Sequence, residues 1–285
     1  MTSSRILRGG GIALISALSA WSASAHADSI WNMTRGVTDI SRNVYDLHML
    51  ILWICVFIGI GVFGVMFWSI YHHRKSRGAE PAQFHESTAV EVAWTVVPMV
   101  ILISMAVPAT QVLIRMADAS EAELTIKVTG YQWLWQYEYL DEDVSFFSAL
   151  STPHDQIYGD APKGEHYLLE VDNPLVVPVG TKIRFVFTSA DVIHSWWVPA
   201  LGWKQDTIPG FINENWTLIE KPGTYRGQCA ELCGRGHAFM PIVVEAVSPA
   251  EFQEWLARMK GQDAPEAPTA QTDSPALTLA GDQPL

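Results

Sequence analysis

The sequence predicts an N-terminal hairpin of two transmembrane helices followed by an all-β domain of sandwich or barrel type. Three observations predict it. Two long apolar runs, Met49–Ile70 and Val92–Ile114, contain no Asp, Glu, Lys or Arg. After them, short strand-like runs alternate with Pro, Gly and Asn turn signals. Near the C-terminal end, two cysteines, a histidine and a methionine fall between Cys229 and Met240. The chain of 285 residues, 49% hydrophobic, has room for one or two domains and enough apolar material to bury a core.

Residues 1–27 read as a secretory signal. Arg5 and Arg8 give a positive start, Ile12–Leu18 an apolar stretch, and Ala25-His26-Ala27 a small-x-small cleavage site. The hairpin then occupies 28–115. Its two uncharged runs hold 22 and 23 residues, and a helix needs roughly 20 to cross the hydrocarbon core. A pair of buried core helices is the competing reading. Pro98 and Pro108 lie inside the second run. Membrane helices tolerate proline where neighbours satisfy the freed carbonyls, so partner helices are expected. The loop between the runs carries Arg74, Lys75 and Arg77. Positive loops stay in the cytoplasm, which leaves both flanks outside.

The outer domain spans 116–260. Strands are expected at Leu124–Gly130, Leu168–Val171, Lys182–Thr188, Trp216–Ile219, Gly223–Gln228 and Pro241–Val247, where polar and apolar residues alternate between turn signals. Pro249–Lys260 reads as an amphipathic helix with Phe252, Trp255, Leu256 and Met259 on one face. Residues 261–285, rich in Ala, Pro, Thr and Asp, read as a disordered tail.

The formal net charge is −12, which excludes nucleic acid as a partner, because phosphate binding needs clustered Lys and Arg. From Met116 onward there are 24 acidic and 10 basic residues. Such a surface suits a basic protein. Three cysteines are too few for a disulfide scaffold. Cys55 lies in an apolar run. Cys229 and Cys233, with His237, Met240 and the upstream His194, offer thiolate, imidazole and thioether donors. That soft set favours copper over magnesium, calcium or manganese. Structural zinc, a Cys229–Cys233 disulfide and plain packing remain alternative readings of the same residues. Thioether fits the zinc reading poorly, and a disulfide leaves the histidines and methionine without a role.

The segment from Gln228 to Pro241, with its spacing C-x-E-x-C-x₃-H-x₂-M and an upstream histidine, resembles the binuclear Cu-A site of cytochrome c oxidase subunit II from bacteria. Other stretches resemble that family in order: Glu91-Val92-Ala93-Trp94-Thr95, Gln132–Tyr139, Asp172-Asn173-Pro174, Asp191–Trp196, Lys204-Gln205-Asp206 and Pro209-Gly210. The resemblance runs from Asp46 to Trp255. It implies a cupredoxin-like Greek-key domain on the periplasmic side of the bacterial inner membrane. It implies two copper ions, bridged by Cys229 and Cys233 and held further by His194, His237, Met240 and the carbonyl of Glu231. The Glu231 side chain would bind a magnesium or manganese ion shared with subunit I. Trp133 would receive the electron from a separate cytochrome c. Glu91 would stand at a proton-pathway entrance. Glu138, Asp172 and Asp191 would dock the cytochrome. Subunit I, with its haem and Cu-B, subunit III and membrane lipid are the implied partners. The family often has histidine where Tyr131 stands, which is a departure.

The resemblance implies an oxidase complex that reduces oxygen to water and translocates protons, with this chain as its electron-transfer subunit. No Cys-x-x-Cys-His is present, so no c-type haem attaches here. A quinol-oxidase counterpart would lack the copper ligands. The propeller of nitrous-oxide reductase has no counterpart in this sequence. A membrane-tethered copper chaperone or sensor is the alternative function, and it would need an open site. Trp196, Trp197 and Phe239 beside the ligands suggest a shielded one.

Overall fold

The computed structural model describes residues 32–80, 83 and 85–261. The expected signal peptide lies outside these residues, as does the expected tail apart from Gly261.

Helix α1 (Asp39–His72) runs 34 residues and helix α2 (Thr88–Ala117) 30 residues. Thr38 caps α1 with a reciprocal box. The Ser41 N–H donates to Thr38 Oγ1 and the Thr38 N–H to Ser41 Oγ, both at 3.0 Å. Along the apolar spans the large side chains lie exposed, among them Phe57, Val65, Trp68, Leu102 and Leu113. A core helix of a soluble domain would bury them; here none of either span is buried. Helix α2 continues through Pro98 and Pro108. Neither proline has an N–H, so the carbonyls of Trp94 and Ser104 lose their helical donors.

Ten strands follow. They are β1 (Leu124–Tyr131), β2 (Leu134–Tyr139), β3 (Val144–Ser148), β4 (Leu175–Pro178), β5 (Lys182–Ser189), β6 (His194–Trp197), β7 (Lys204–Thr207), β8 (Asn213–Leu218), β9 (Gly223–Cys229) and β10 (Pro241–Val247). A short helix α3 (His154–Tyr158) lies between β3 and β4, and α4 (Pro249–Lys260) closes the described chain. The strands form two five-stranded sheets, ordered β3-β2-β1-β5-β8 and β4-β10-β9-β6-β7. Most neighbours are antiparallel, but β1 runs parallel to β5 and β4 parallel to β10. Parallel neighbours cannot be joined by a tight hairpin, so the chain crosses between sheets.

In β5 the buried positions alternate, placing Ile183, Phe185 and Phe187 inward. The two phenylalanine rings meet Trp196 and Trp203: Phe185 stacks on Trp196 at 5.5 Å between centroids, and Trp196 on Trp203 at 5.4 Å. Trp135, Tyr137, Val128, Ile242 and Val244 complete this core between the sheets. Helix α4, capped by Ser248 and Glu251, lays Phe252 and Trp255 against Tyr139.

The start of α1 is fastened to the β domain. Thr38 Oγ1 donates to the Leu201 carbonyl (2.9 Å), the Val37 N–H to the Ala200 carbonyl (2.9 Å), and Arg42 forks onto both carboxylate oxygens of Glu220 (2.5 and 3.0 Å). Gly202 permits this approach. Its φ is +87°, and a Cβ there would lie 2.4 Å from Ser41 Cα.

The expected strand Leu168–Val171 does not form. Leu168 has φ +61°, its N–H donates to Thr152 Oγ1, and the Leu169 N–H turns back to the His166 carbonyl. Only Val171 makes an isolated bridge, to Leu150.

Candidate metal centre

Strand β6 brings in His194, strand β9 ends on Cys229, and the loop between β9 and β10 carries Cys233, His237 and Met240. The β6–β9 pairing sets Trp196 opposite Cys229, two residues from His194. The loop folds back on itself: the Cys229 N–H donates to the Met240 carbonyl at 3.0 Å and the Ala230 N–H to the Ser195 carbonyl at 2.9 Å.

Among the described residues, His194, Cys229 and Cys233 form the one group of His, Cys, Asp or Glu placed to share a metal. Their ligand atoms lie within 4.8 Å of one another, and all three residues are buried. The sulfurs are 3.8 Å apart and unlinked. A metal held by both sulfurs, at about 2.3 Å from each, would fit that gap. His237 stands next to this group, with Nδ1 at 3.6 Å from Cys233 Sγ. The Glu231 carbonyl lies 3.3 Å from Cys229 Sγ. Met240 is buried in the same core cluster.

His194 is poised as a ligand. Its side chain is wholly buried. Its Nε2–H donates to Asp191 Oδ1 at 2.9 Å, while Nδ1 is buried with no hydrogen-bond partner. An orphaned buried nitrogen beside two thiols is what a metal site requires of its histidine. The donor set fits copper. Burial raises both thiols. At Cys229, contacts with His194 and with the backbone outweigh burial and bring its pKa below the ordinary thiol value. Cys233, buried and facing that charge, is held above it. Burial lowers His194, but Cys229 and Asp191 outweigh it and leave the imidazole more basic than usual.

Trp133 sits in the β1–β2 turn, half-buried against the ligand loop. Its Nε1–H donates to the Cys233 carbonyl at 3.2 Å, and Gln132 Nε2 donates to the same oxygen at 2.8 Å. A Cβ at Gly236 would lie 2.3 Å from Trp133 Cδ2, so the indole rests on the bare backbone there.

The remaining expected residues are dispersed. Glu231 is exposed beside the cysteines. Glu138 pairs with Lys127 at 3.0 Å. Asp172 is exposed and accepts from the Ala149 and Asn173 N–H groups. Glu91 is exposed in the first turn of α2, far along the chain from the ligands. Sequence reasoning missed the inward role of Asp191. Besides His194, that carboxylate accepts from the Val192 N–H (2.6 Å) and the Gln132 N–H (2.7 Å), with Ser189 Oγ 3.3 Å away. Its place three residues before His194 does not by itself mark it, since a loop acid there could equally face solvent.

Two family models match this chain: cytochrome c oxidase subunit II, transmembrane domain, over residues 27–112, and cytochrome c oxidase subunit II, periplasmic domain, over residues 124–247. A probable cytochrome c oxidase subunit 2 of Rickettsia prowazekii is 42% identical over 220 residues, covering 76% of this chain and 68% of that one. The mitochondrial cytochrome c oxidase subunit 2 of Glycine max is 41% identical over 226 residues, covering 77% and 56%. The solved periplasmic domain of the Bradyrhizobium japonicum cytochrome oxidase subunit II is 44% identical, covers 50% of this chain and 97% of its own, and superposes with a TM-score of 0.45. With helical hairpin, sandwich and sulfur–imidazole cluster all in place, the chain belongs to the cytochrome c oxidase subunit II family.

Proposed function

We propose that this chain accepts electrons from a separate cytochrome c and hands them to haem in subunit I of an oxidase complex, where oxygen is reduced to water and protons are translocated. The convergence of Cys229, Cys233, His194 and His237 at the loop end of one sheet carries the reading. Cys229 and Cys233 would bridge two copper ions, His194 and His237 would each hold one, and Met240 and the Glu231 carbonyl would be weak ligands. Bound there, two coppers would supply one-electron chemistry, with the shared thiolates spreading a single charge over both metals.

The protein's own residues do the rest. The two sheets hold the ligands rigidly, so little rearranges when charge arrives. Trp133 offers an aromatic face, and its hydrogen bond to the Cys233 carbonyl supports it as the point of electron entry. Exposed Ile193 and Leu232 directly precede the ligands His194 and Cys233, and Phe211 and Ile212 lie exposed on the β7–β8 loop. Exposed large apolar side chains of that kind support burial against other subunits, subunits I and III among them. Glu231 has a carboxylate free to face a hard cation, magnesium or manganese, at such a contact. Glu138, Asp172 and Asp191 belong to an acidic domain that would attract a basic cytochrome c. Glu91, at the membrane end opposite the β domain, would stand at the mouth of a proton pathway. The membrane would be the bacterial inner membrane, with the β domain in the periplasm.

The test is a metal count and a paramagnetic resonance spectrum on the full chain purified in detergent and loaded with copper. Two coppers per chain sharing one unpaired electron support the reading. One copper with a localised signal, or zinc in its place, overturns it.

A further inference from the structure

Asp191 belongs to the acidic surface by sequence, yet its carboxylate faces inward. The side chain is 30% exposed. Oδ1 accepts from His194 Nε2 and from the Val192 N–H, and Oδ2 accepts from the Gln132 N–H. Ser189 Oγ, whose single proton goes to the Val192 carbonyl at 2.5 Å, stands 3.3 Å from Oδ1. One carboxylate therefore ties three segments together: the β5–β6 loop, the histidine at the head of β6, and the Gln132–Trp133 turn.

We propose that Asp191 is the positioning residue of this centre. It fixes His194 with the proton on Nε2 and the Nδ1 lone pair aimed at the thiols, and it clamps the Trp133 turn to the same histidine. The proposal rests on the copper reading above. Three observations and one general rule support it independently of docking. His194 Nδ1 is buried and has no partner, which is the outcome expected if the other nitrogen has been claimed. A histidine that donates its second N–H to a carboxylate keeps one tautomer and one ring orientation, and becomes a stronger donor to metal. The ring is held on its other side by the edge of Trp135, 6.0 Å between centroids, so rotation has little room. Gln132 reaches the opposite wall of the site as well, through Nε2 to the Cys233 carbonyl, so the turn that Asp191 anchors spans from His194 to Cys233.

An amide cannot replace this carboxylate. Asp191→Asn keeps one oxygen but turns the other into an N–H₂ group. Whichever way it is oriented, a donor then faces either the His194 Nε2–H or the Gln132 N–H. The side-chain volume is nearly unchanged, so the fold should persist.

The experiment compares wild type, Asp191→Asn and Asp172→Asn as full chains in detergent, titrated with copper alone, and again in the assembled oxidase with cytochrome c. If Asp191 positions His194, Asp191→Asn weakens copper binding about 10–100-fold, alters the copper spectrum and moves the potential to more positive values, because the histidine donates less to the oxidised site. Asp172→Asn leaves all three at wild-type values. If Asp191→Asn keeps wild-type affinity, spectrum and potential while only the KM for cytochrome c rises and the salt dependence flattens, Asp191 is a docking acid and the proposal is overturned. The wild-type copper count reports separately on the two-copper reading. A single copper there would sink that reading and still leave the affinity ratio to judge Asp191.

Discussion

The Cys233 carbonyl collects two hydrogen bonds, from the indole of Trp133 and from the Gln132 amide. Its thiol meets Cys229 and His237. Replacing either cysteine with serine substitutes a hard, poorly ionised hydroxyl for a soft thiolate. Cys229→Ser and Cys233→Ser are each expected to abolish the two-copper resonance spectrum. A normal spectrum in either variant would remove the bridging assignment. Met240→Leu should retain copper and shift its potential. Gly236→Ala tests the indole seat. The new methyl would collide with Trp133, so electron uptake from cytochrome c should slow while the copper spectrum stays close to wild type. Stopped-flow reduction of the chain measures this. The loop ligands could be read from the sequence because they are local, with Cys229 and Met240 eleven positions apart. The Asp191 clamp could not be read. Its bond to Gln132 joins residues 59 apart, and its bond to His194 depends on how the β5–β6 loop folds. A surface acid and an inward acid look alike in a sequence.

Strand β5 was legible because Ile183, Phe185 and Phe187 alternate with Lys182, Arg184 and Val186 over eight residues. Phe187→Ala should cost about 3–5 kcal/mol, a loss of transfer energy plus a cavity among Trp196 and Trp203. Chemical denaturation followed by tryptophan fluorescence would measure it. Strands β6 and β7 have four residues each, too few to show a period, and His194-Ser195-Trp196 is buried throughout, so no alternation exists to find. The run Leu168–Val171 had strand-like composition, but its backbone hydrogen bonds are met by turns and by Thr152. The long helices were legible from composition, though α1 begins ten residues before its uncharged run. That extra length meets the β domain through the Arg42–Glu220 pair. The hydrogen bond from Arg42 holds Glu220 below the ordinary glutamate range. A depressed carboxylate contributes stability above its unfolded pKa, and the contribution is lost as pH falls through the folded value. The fastening of α1 should therefore loosen on acidification below the ordinary glutamate range. Limited proteolysis near Thr34–Val37 at falling pH would report it, and Arg42→Ala should remove the pH dependence.

At the scale of the whole molecule, the chain is apolar at its membrane end and strongly acidic beyond it, with 24 acidic against 10 basic residues from Met116 onward. Oxidase turnover with cytochrome c should fall as ionic strength rises, since charges separated by more than about 8 Å are largely screened near 0.15 M salt. A flat salt profile would refute electrostatic docking. The continuity of α1 has a further consequence. Asp39–His48 carry the helix roughly 15 Å past the apolar run, at the rise of an α-helix, and Thr38 and Arg42 bolt its tip to the β domain. The helix is thus a yardstick that sets the elevation and the heading of the sulfur–imidazole cluster above the apolar span. One residue inserted between Tyr45 and Asp46 would lift that cluster by about 1.5 Å and swing it by about 100°. The height of the centre is written in the number of helical turns below it.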